Sequence, residues 1–152
     1  MSNEAFLRSE LARVIDVMAS RPNGGYVEDW PLKPEHGMSD AEIDEHLPDK
    51  VVLPIALREY YRMLGRHPIN ATYNWLRPVD QLEVVRGKVV FLDENQEVVM
   101  WGIAKKDQLA EDPTVFQAAL GFDEIRWYSE RKSFTAFLAE MWRWTITGEN
   151  DG

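Results

Sequence analysis

The 152-residue sequence contains no cysteine, which excludes disulfide bonds and thiolate metal ligands. It also has no apolar stretch near the roughly 20 residues that a transmembrane helix requires. Charged residues interrupt the first 20 positions, so no secretory signal peptide is predicted there. We therefore expect a soluble cytoplasmic protein.

Histidine is scarce, and motifs for catalysis are absent. Nucleophilic catalysis needs a Ser, Cys or Thr beside an oriented base, and phosphate binding commonly uses a glycine-rich loop; the sequence has neither pattern. Glu42 and His46 lie four residues apart on a predicted short helix, where they could share a metal ion with His36. A solvated Glu–His pair is the more ordinary interpretation. We predict no catalytic residue, no metal site and no cofactor.

Basic residues are in the minority. The chain has 17 Lys and Arg against 26 Asp and Glu, a formal net charge of −9, and residues 1–50 alone account for −6. Such a surface disfavours nucleic acid and anionic membranes, whose recognition rests on cationic side chains. It favours a basic protein partner through electrostatic steering, although acidity also simply keeps proteins soluble.

Aromatic residues, by contrast, are plentiful. There are 17 of them, and a hydrophobic share of 45% is sufficient for a core. Trp101, Trp127 and Trp142 fall on predicted core faces. Trp30 and Trp75 lie in polar loops, where a tryptophan either packs onto the core or anchors a partner.

Apolar spacing and capping signals predict four helices. The first begins at Asn3, the second within the capping box that starts at Ser39, the third at Pro54 and the fourth after Ser133. Most of residues 21–50 is predicted to be loop, because that stretch is rich in proline, glycine and acidic residues.

Residues 88–103 predict a β-hairpin that is apolar on both faces. Val89–Leu92 and Val98–Trp101 carry large apolar side chains at odd and even positions, whereas a half-buried strand would alternate. We therefore predict that the hairpin lies at the centre of a sheet with cover on each side. Residues 93–96 form the predicted turn, with Asn95 in a left-handed conformation.

Two more strands complete the predicted sheet, at 114–120 and 125–128. Pro113 suits the start of the first of these. The order of helix, loop, helix, strand meander and helix predicts one α+β domain over residues 1–152. Its antiparallel sheet meander is flanked by N-terminal, middle and C-terminal helices.

Four short motifs follow one another in a familiar order. They are Leu53-Pro54 with Tyr60-Tyr61-x-x-Leu64-Gly65, Val90-Phe91 with Val99-x-Trp101-Gly102-Ile103, Asp112-Pro113-x-Val115, and Ser133-Phe134-x-x-Phe137-Leu138. In this order and spacing the chain resembles the SUKH superfamily over about residues 50–147. That superfamily includes a yeast regulator of cell-wall synthesis and many bacterial immunity proteins.

The resemblance implies an α+β domain that binds proteins and is not an enzyme. Bacterial members resemble antidotes that each bind one toxin, often a nuclease. We therefore expect an immunity protein that neutralises a basic toxin by occlusion, with acidic residues imitating phosphates. One alternative is a regulatory scaffold for a cellular protein. Another is a small-ligand-binding domain whose cleft over the sheet has Tyr73, Asn74 and Trp75 at its mouth.

We place the expected partner surface mainly on the acidic segment, residues 28–45. The candidate contact residues are Glu28, Asp29, Trp30, Asp40, Glu42, Asp44, Glu45 and, outside the segment, Trp75. Arg58, Arg62 and Arg66 form a basic stripe that is either exposed or docks an acidic group.

Overall fold

A computed structural model describes residues 2–21 and 29–148. They form four α-helices and a six-stranded antiparallel sheet, which confirms the predicted α+β class. The helices are α1 Asn3–Ala19, α2 Asp40–His46, α3 Ile55–Leu64 and α4 Phe134–Thr147. The strands are β1 Trp75–Leu76, β2 Glu83–Val85, β3 Lys88–Asp93, β4 Val99–Ala104, β5 Thr114–Ala119 and β6 Tyr128–Ser133.

The β3–β4 hairpin occupies the middle of the sheet, as predicted. The strand order is β1-β3-β4-β5-β6, and β2 also pairs with β3. β6 pairs with β5 and forms one edge of the sheet. The predicted start of β5 after Pro113 is also confirmed.

The hairpin is apolar on both faces because the chain covers both. On one face Phe91 joins the main core with residues of α1, α3 and α4, and its ring meets that of Phe134 edge-on with centroids 5.4 Å apart. On the other face Val90 and Met100 are covered by side chains from the loop 120–127. This double cover explains why the two strands do not alternate apolar and polar residues.

The last strand begins later than predicted. β6 starts at Tyr128, whereas the sequence pattern placed a strand at 125–128. Ile125 and Trp127 belong instead to the covering loop, and the indole N–H of Trp127 donates to the carbonyl oxygen of Val85 at 3.1 Å. A loop that packs on a sheet face alternates apolar and polar residues, as a half-buried strand does. The alternation at 125–128 therefore could not distinguish the two, and the strand was predicted too early.

The hairpin turn also differs from its prediction. Glu97, with φ of 59°, has the left-handed backbone that was predicted for Asn95. Five residues, 94–98, connect the strands, and the N–H of Glu94 donates to the carbonyl oxygen of Val99 at 3.0 Å. The turn has one residue more than the four that were predicted, and its left-handed residue lies closer to the end of the turn.

The helix boundaries follow the predicted capping signals. The hydroxyl oxygen of Ser39 accepts from the N–H of Glu42 at 3.1 Å, and that of Ser133 accepts from the N–H of Ala136 at 3.4 Å. α3 ends at Gly65, as expected. Across residues 2–21 and 29–148, no helix is long and apolar enough to cross a membrane.

Candidate functional site

α2 lies against α3, and the predicted basic stripe binds the acidic side chains of α2. Three of the four candidate acids on α2 are therefore paired within the chain. The ion pairs are Arg58–Asp40 (3.0 Å), Arg58–Asp44 (2.6 Å), Arg62–Asp40 (2.6 Å) and Arg66–Glu42. The acidic group that the stripe binds is therefore helix α2 of the same chain.

These contacts shift the titration of the α2 carboxyl groups. Hydrogen bonds from Arg62 and then from Arg58 lower the pKa of Asp40. The pKa of Glu42 is lowered as well, most strongly by the hydrogen bond from the backbone N–H of Ser39. Both groups are thus held in the charged form that the arginines bind.

The ion pairs offset most of the negative charge on α2, which carries four of the acidic residues in 28–45. The four acids of α2 lie beside three arginines, so this patch carries a net charge of −1 and not −4. Of the four, Glu45 alone has no ion pair within the part of the chain that the structure describes. A basic partner would have to compete with arginines already in place.

Reversing the charge of Asp40 is expected to loosen α2. In Asp40→Lys a third cation would stand beside Arg58 and Arg62, so the amide protons of α2 should exchange faster and the Tm should fall. The matched control is Glu45→Lys on the same helix, which breaks no ion pair and should exchange at the wild-type rate. Hydrogen exchange measured by NMR checks this; equal exchange in the two variants would contradict the docking role of the ion pairs.

The other candidates in the acidic segment precede α2. Glu28 lies outside the described residues. The carboxylate of Asp29 accepts a hydrogen bond from Nε2 of His36 at 3.0 Å, which lowers its pKa. Trp30 is only 7% exposed, and its ring meets that of His67 edge-on. Trp30 therefore packs onto the core, one of the two positions predicted for it, and little of its ring is left for a partner.

The three histidines do not assemble with Glu42 as a metal site. His36 is buried and bound to Asp29, while Nδ1 of His46 donates to the backbone carbonyl oxygen of Glu42 at 2.8 Å. Among residues 2–21 and 29–148, no group of three or more His, Cys, Asp and Glu could hold a metal ion.

His67 is held in its neutral form. Its Nδ1 accepts from the N–H of Ile69 at 3.0 Å, and its Nε2 donates to the carbonyl oxygen of Trp30 at 2.7 Å. Burial lowers its pKa below the ordinary 6.5, and the neighbouring ring of His36, 4.6 Å away between centroids, acts in the same direction. Protonation would break the bond to Ile69, since Nδ1 could no longer accept.

The free energy of unfolding should fall as the pH decreases from about 7.5 to about 5, because unfolded His67 takes up a proton before folded His67 does. This stabilisation is fully present above the unfolded pKa and declines below it. In His67→Asn, whose amide oxygen can still accept from Ile69, the pH slope should be smaller. Urea denaturation at a series of pH values measures both slopes. Identical slopes would show that His67 does not contribute.

A cleft of about 410 Å³ lies on the α4 side of the sheet, between the β3–β4 turn, β6 and α4. Its apolar lining consists of Tyr73, Trp101, Phe137, Met141 and Trp144. Phe137 and Trp101 pack against each other with ring centroids 5.7 Å apart. The cleft therefore has its floor on the sheet and one wall on α4.

The loop that carries Tyr73 and Asn74 forms the rim of the cleft and contacts both the β3–β4 turn and α4. The amide oxygen of Asn74 accepts from the N–H of Asn95 at 3.2 Å, and its Nδ2 contacts Sδ of Met141 at 3.6 Å. The ring of Tyr73 meets that of Trp144 edge-on at 5.0 Å. One loop is thus tied both to the hairpin turn and to α4, which fixes the shape of the opening.

Carboxylates outnumber cations in the cleft by two. Lys132 of β6 pairs with Glu140 of α4 at 2.6 Å. Glu130 accepts from the indole N–H of Trp101 at 3.1 Å, and Glu94, on the β3–β4 turn, is half-buried. Neither Glu94 nor Glu130 has a cationic partner within the described part of the chain.

The sequence located part of this site. Tyr73 and Asn74 line the cleft, as the small-ligand alternative expected. Trp75 is 45% exposed but pairs with Asp93 in the sheet and is not part of the cleft lining. Trp101 was assigned to the core, although one part of its ring faces the cleft.

The carboxylates of the cleft were missed because acidic residues are common throughout this sequence. One available signal was the spacing in β6: Glu130 and Lys132 lie two residues apart and so share a face. A second was the spacing of Phe137, Met141 and Trp144 along one side of α4. The first signal required the correct position of β6.

Comparison with protein-family models, curated protein sequences and solved structures finds no match to this chain. The resemblance to the SUKH superfamily stays a prediction.

Proposed function

We propose that this protein is a cytoplasmic, non-enzymatic binding domain that neutralises one basic protein, in the manner of an immunity protein against its toxin. The cleft is the observation that supports this best. It combines aromatic side chains with two carboxylates that have no cationic partner among the described residues, in a chain with a net charge of −9. A concave site of this composition suits a cationic partner.

The proposed mechanism is occlusion in two steps. The net negative charge would first accelerate the encounter with a basic protein. Exposed aromatic residues at the rim would then exclude water and hold the complex: Trp144 is 43% exposed and Tyr73 37%. Tryptophan and tyrosine are common among the residues that dominate binding energy. A partner held there would have its own cationic surface covered.

The two tyrosines of α3, Tyr60 and Tyr61, are buried in the core. The hydroxyl of Tyr60 donates to Oδ1 of Asn70 at 2.6 Å, and that of Tyr61 donates to the carbonyl oxygen of Arg77 at 2.5 Å. Burial raises the pKa of both phenols. These shifted groups serve internal hydrogen bonds and do not line the cleft.

A small-ligand-binding domain is the second candidate. The volume of the cleft, about 410 Å³, lies within the range of roughly 300–1,000 Å³ that is typical of ligand sites. A ligand there would need to be cationic or aromatic to suit the same lining. A regulatory scaffold would use the same surface on a different class of partner.

Capture of the partner followed by a growth assay tests the proposed function. The immobilised protein is exposed to lysate of its source organism at low and moderate salt, and the captured basic protein is then expressed alone and together with this chain. We expect expression alone to stop growth and co-expression to restore it. A captured partner that does not affect growth would contradict neutralisation and favour a scaffold.

A further inference from the structure

We infer that the cleft binds the guanidinium group of an arginine side chain presented by the partner protein. This inference rests on the proposed function in taking a protein as the source of the cation. The chemistry of the floor and walls of the cleft does not depend on which partner binds.

The charge of the cleft selects a cation. Glu94 on the hairpin turn and Glu130 on β6 are half-buried and have no cationic partner in the described residues, while Lys132 is already bound to Glu140. Burial makes an uncompensated carboxylate costly, so a cation placed between the two walls would be favoured. An anion would meet two uncompensated negative charges.

The aromatic lining selects a flat cation over a compact one. Guanidinium is planar, weakly hydrated and stacks on aromatic faces, whereas an ammonium group is a strongly hydrated point charge. The cleft offers the indole rings of Trp101 and Trp144 and the phenol of Tyr73. Tryptophan is the best cation–π acceptor among the side chains.

Glu130 is oriented for such a group. The indole N–H of Trp101 holds one of its carboxylate oxygens at 3.1 Å. A carboxylate has about four lone-pair sites, so one indole leaves most of its accepting capacity available. Guanidinium has five N–H donors in a fixed fork, which allows it to bind a carboxylate while it stacks on a ring.

A protein side chain fits the cleft better than free arginine does. The free amino acid brings an α-ammonium and an α-carboxylate, two hydrated charges that would lose water at the largely aromatic cleft. A residue within a chain has neither group. The exposed rings of Trp144 and Tyr73 at the rim also offer apolar surface to the residues on either side of the arginine.

Titration with capped amino acids, followed through the indole N–H signals in NMR spectra, tests the inference without the partner. The probe is N-acetyl-arginine amide, and N-acetyl-citrulline amide is its uncharged counterpart. We expect saturable shifts of the Trp101 and Trp144 signals with the arginine probe. The Trp127 signal, from the opposite face of the sheet, should not move. Equal shifts with citrulline, or no shift at Trp101 and Trp144, would overturn the inference.

Matched variants locate the binding group. In Glu94→Gln/Glu130→Gln the glutamine at 130 can still accept from Trp101, so the fold should persist while affinity for the arginine probe falls about tenfold or more. Glu124→Gln, in the loop over the other face of the sheet, should bind as the wild type does. Unchanged affinity in the double variant would overturn the role of the two carboxylates.

Two further comparisons define the source and the type of cation. Free arginine should bind less tightly than the capped probe; tighter binding would identify a metabolite site and overturn a protein source. N-acetyl-lysine amide should also bind less tightly, and equal binding would overturn selection for guanidinium.

If the arginine probe binds but the captured partner is harmless, the proposed function fails alone. If the partner is neutralised but the probe does not bind, the inference fails alone.

Discussion

Phe91→Ala lowers the free energy of unfolding by about 3–5 kcal/mol, the range for truncating a large buried aromatic residue. Phe91 is fully buried on the central strand β3, against Phe134 of α4. Its removal would leave a cavity where the sheet meets the helices, so both layers would lose contacts. Chemical denaturation, with the midpoint and the slope fitted separately, measures the change.

Phe122→Ala is the control for this experiment. Phe122 is 71% exposed in the loop that covers the other face of the sheet. Its truncation should change the free energy of unfolding by no more than about 0.5 kcal/mol. A similar loss in the two variants would show that the hairpin is not at the centre of the core.

Gly37→Ala is expected to cost about 1–3 kcal/mol, the usual range for overpacking. A methyl group on Gly37 would overlap the backbone carbonyl oxygen of Arg62. Backbone atoms cannot move aside as a flexible side chain can, so the segment before α2 would have to shift. The neighbouring hydrogen bonds to α3 would weaken, including that from the N–H of Met38 to the carbonyl oxygen of Tyr61 at 3.0 Å.

Glu35→Ala provides the comparison within the same segment, because Glu35 is exposed. It should change the free energy of unfolding by no more than about 0.5 kcal/mol. Thermal unfolding and hydrogen exchange of the α2 amide protons measure both variants. If Gly37→Ala unfolds at the wild-type temperature with unchanged exchange, the close approach of this segment to α3 is not required for stability.

The features that the sequence predicted well are those determined by nearby residues. The capping serines at 39 and 133 and the glycine at 65 mark the ends of helices through local hydrogen bonds and backbone freedom. The β3–β4 hairpin was recognised because two consecutive strands lack alternation. Burial on both faces leaves that pattern in the sequence itself.

The features that the sequence missed depend on distant partners. β1 and β2 have two and three residues, too few for a periodic pattern, and each exists through its pairing with β3. The displaced start of β6 follows from the packing of Trp127 on the sheet. None of these can be inferred from short-range spacing.

The candidate site shows the same distinction. The sequence showed both an acidic helix and a stripe of arginines, but their pairing arises only when α2 docks on α3. A count of charges along the chain therefore placed the acidic surface at residues 28–45. In space, the two carboxylates without a cationic partner in the described residues, Glu94 and Glu130, belong to the cleft, which five separate stretches of the chain build.

We propose that the cleft, and not α2, binds a basic partner. Calorimetric titration of the captured partner into Glu94→Gln/Glu130→Gln and into Asp44→Asn/Glu45→Gln tests it most directly. The cleft variant should lose about tenfold or more in affinity, while the α2 variant stays close to the wild type. Loss of affinity in the α2 variant with unchanged binding by the cleft variant would contradict binding at the cleft and return the partner surface to residues 28–45.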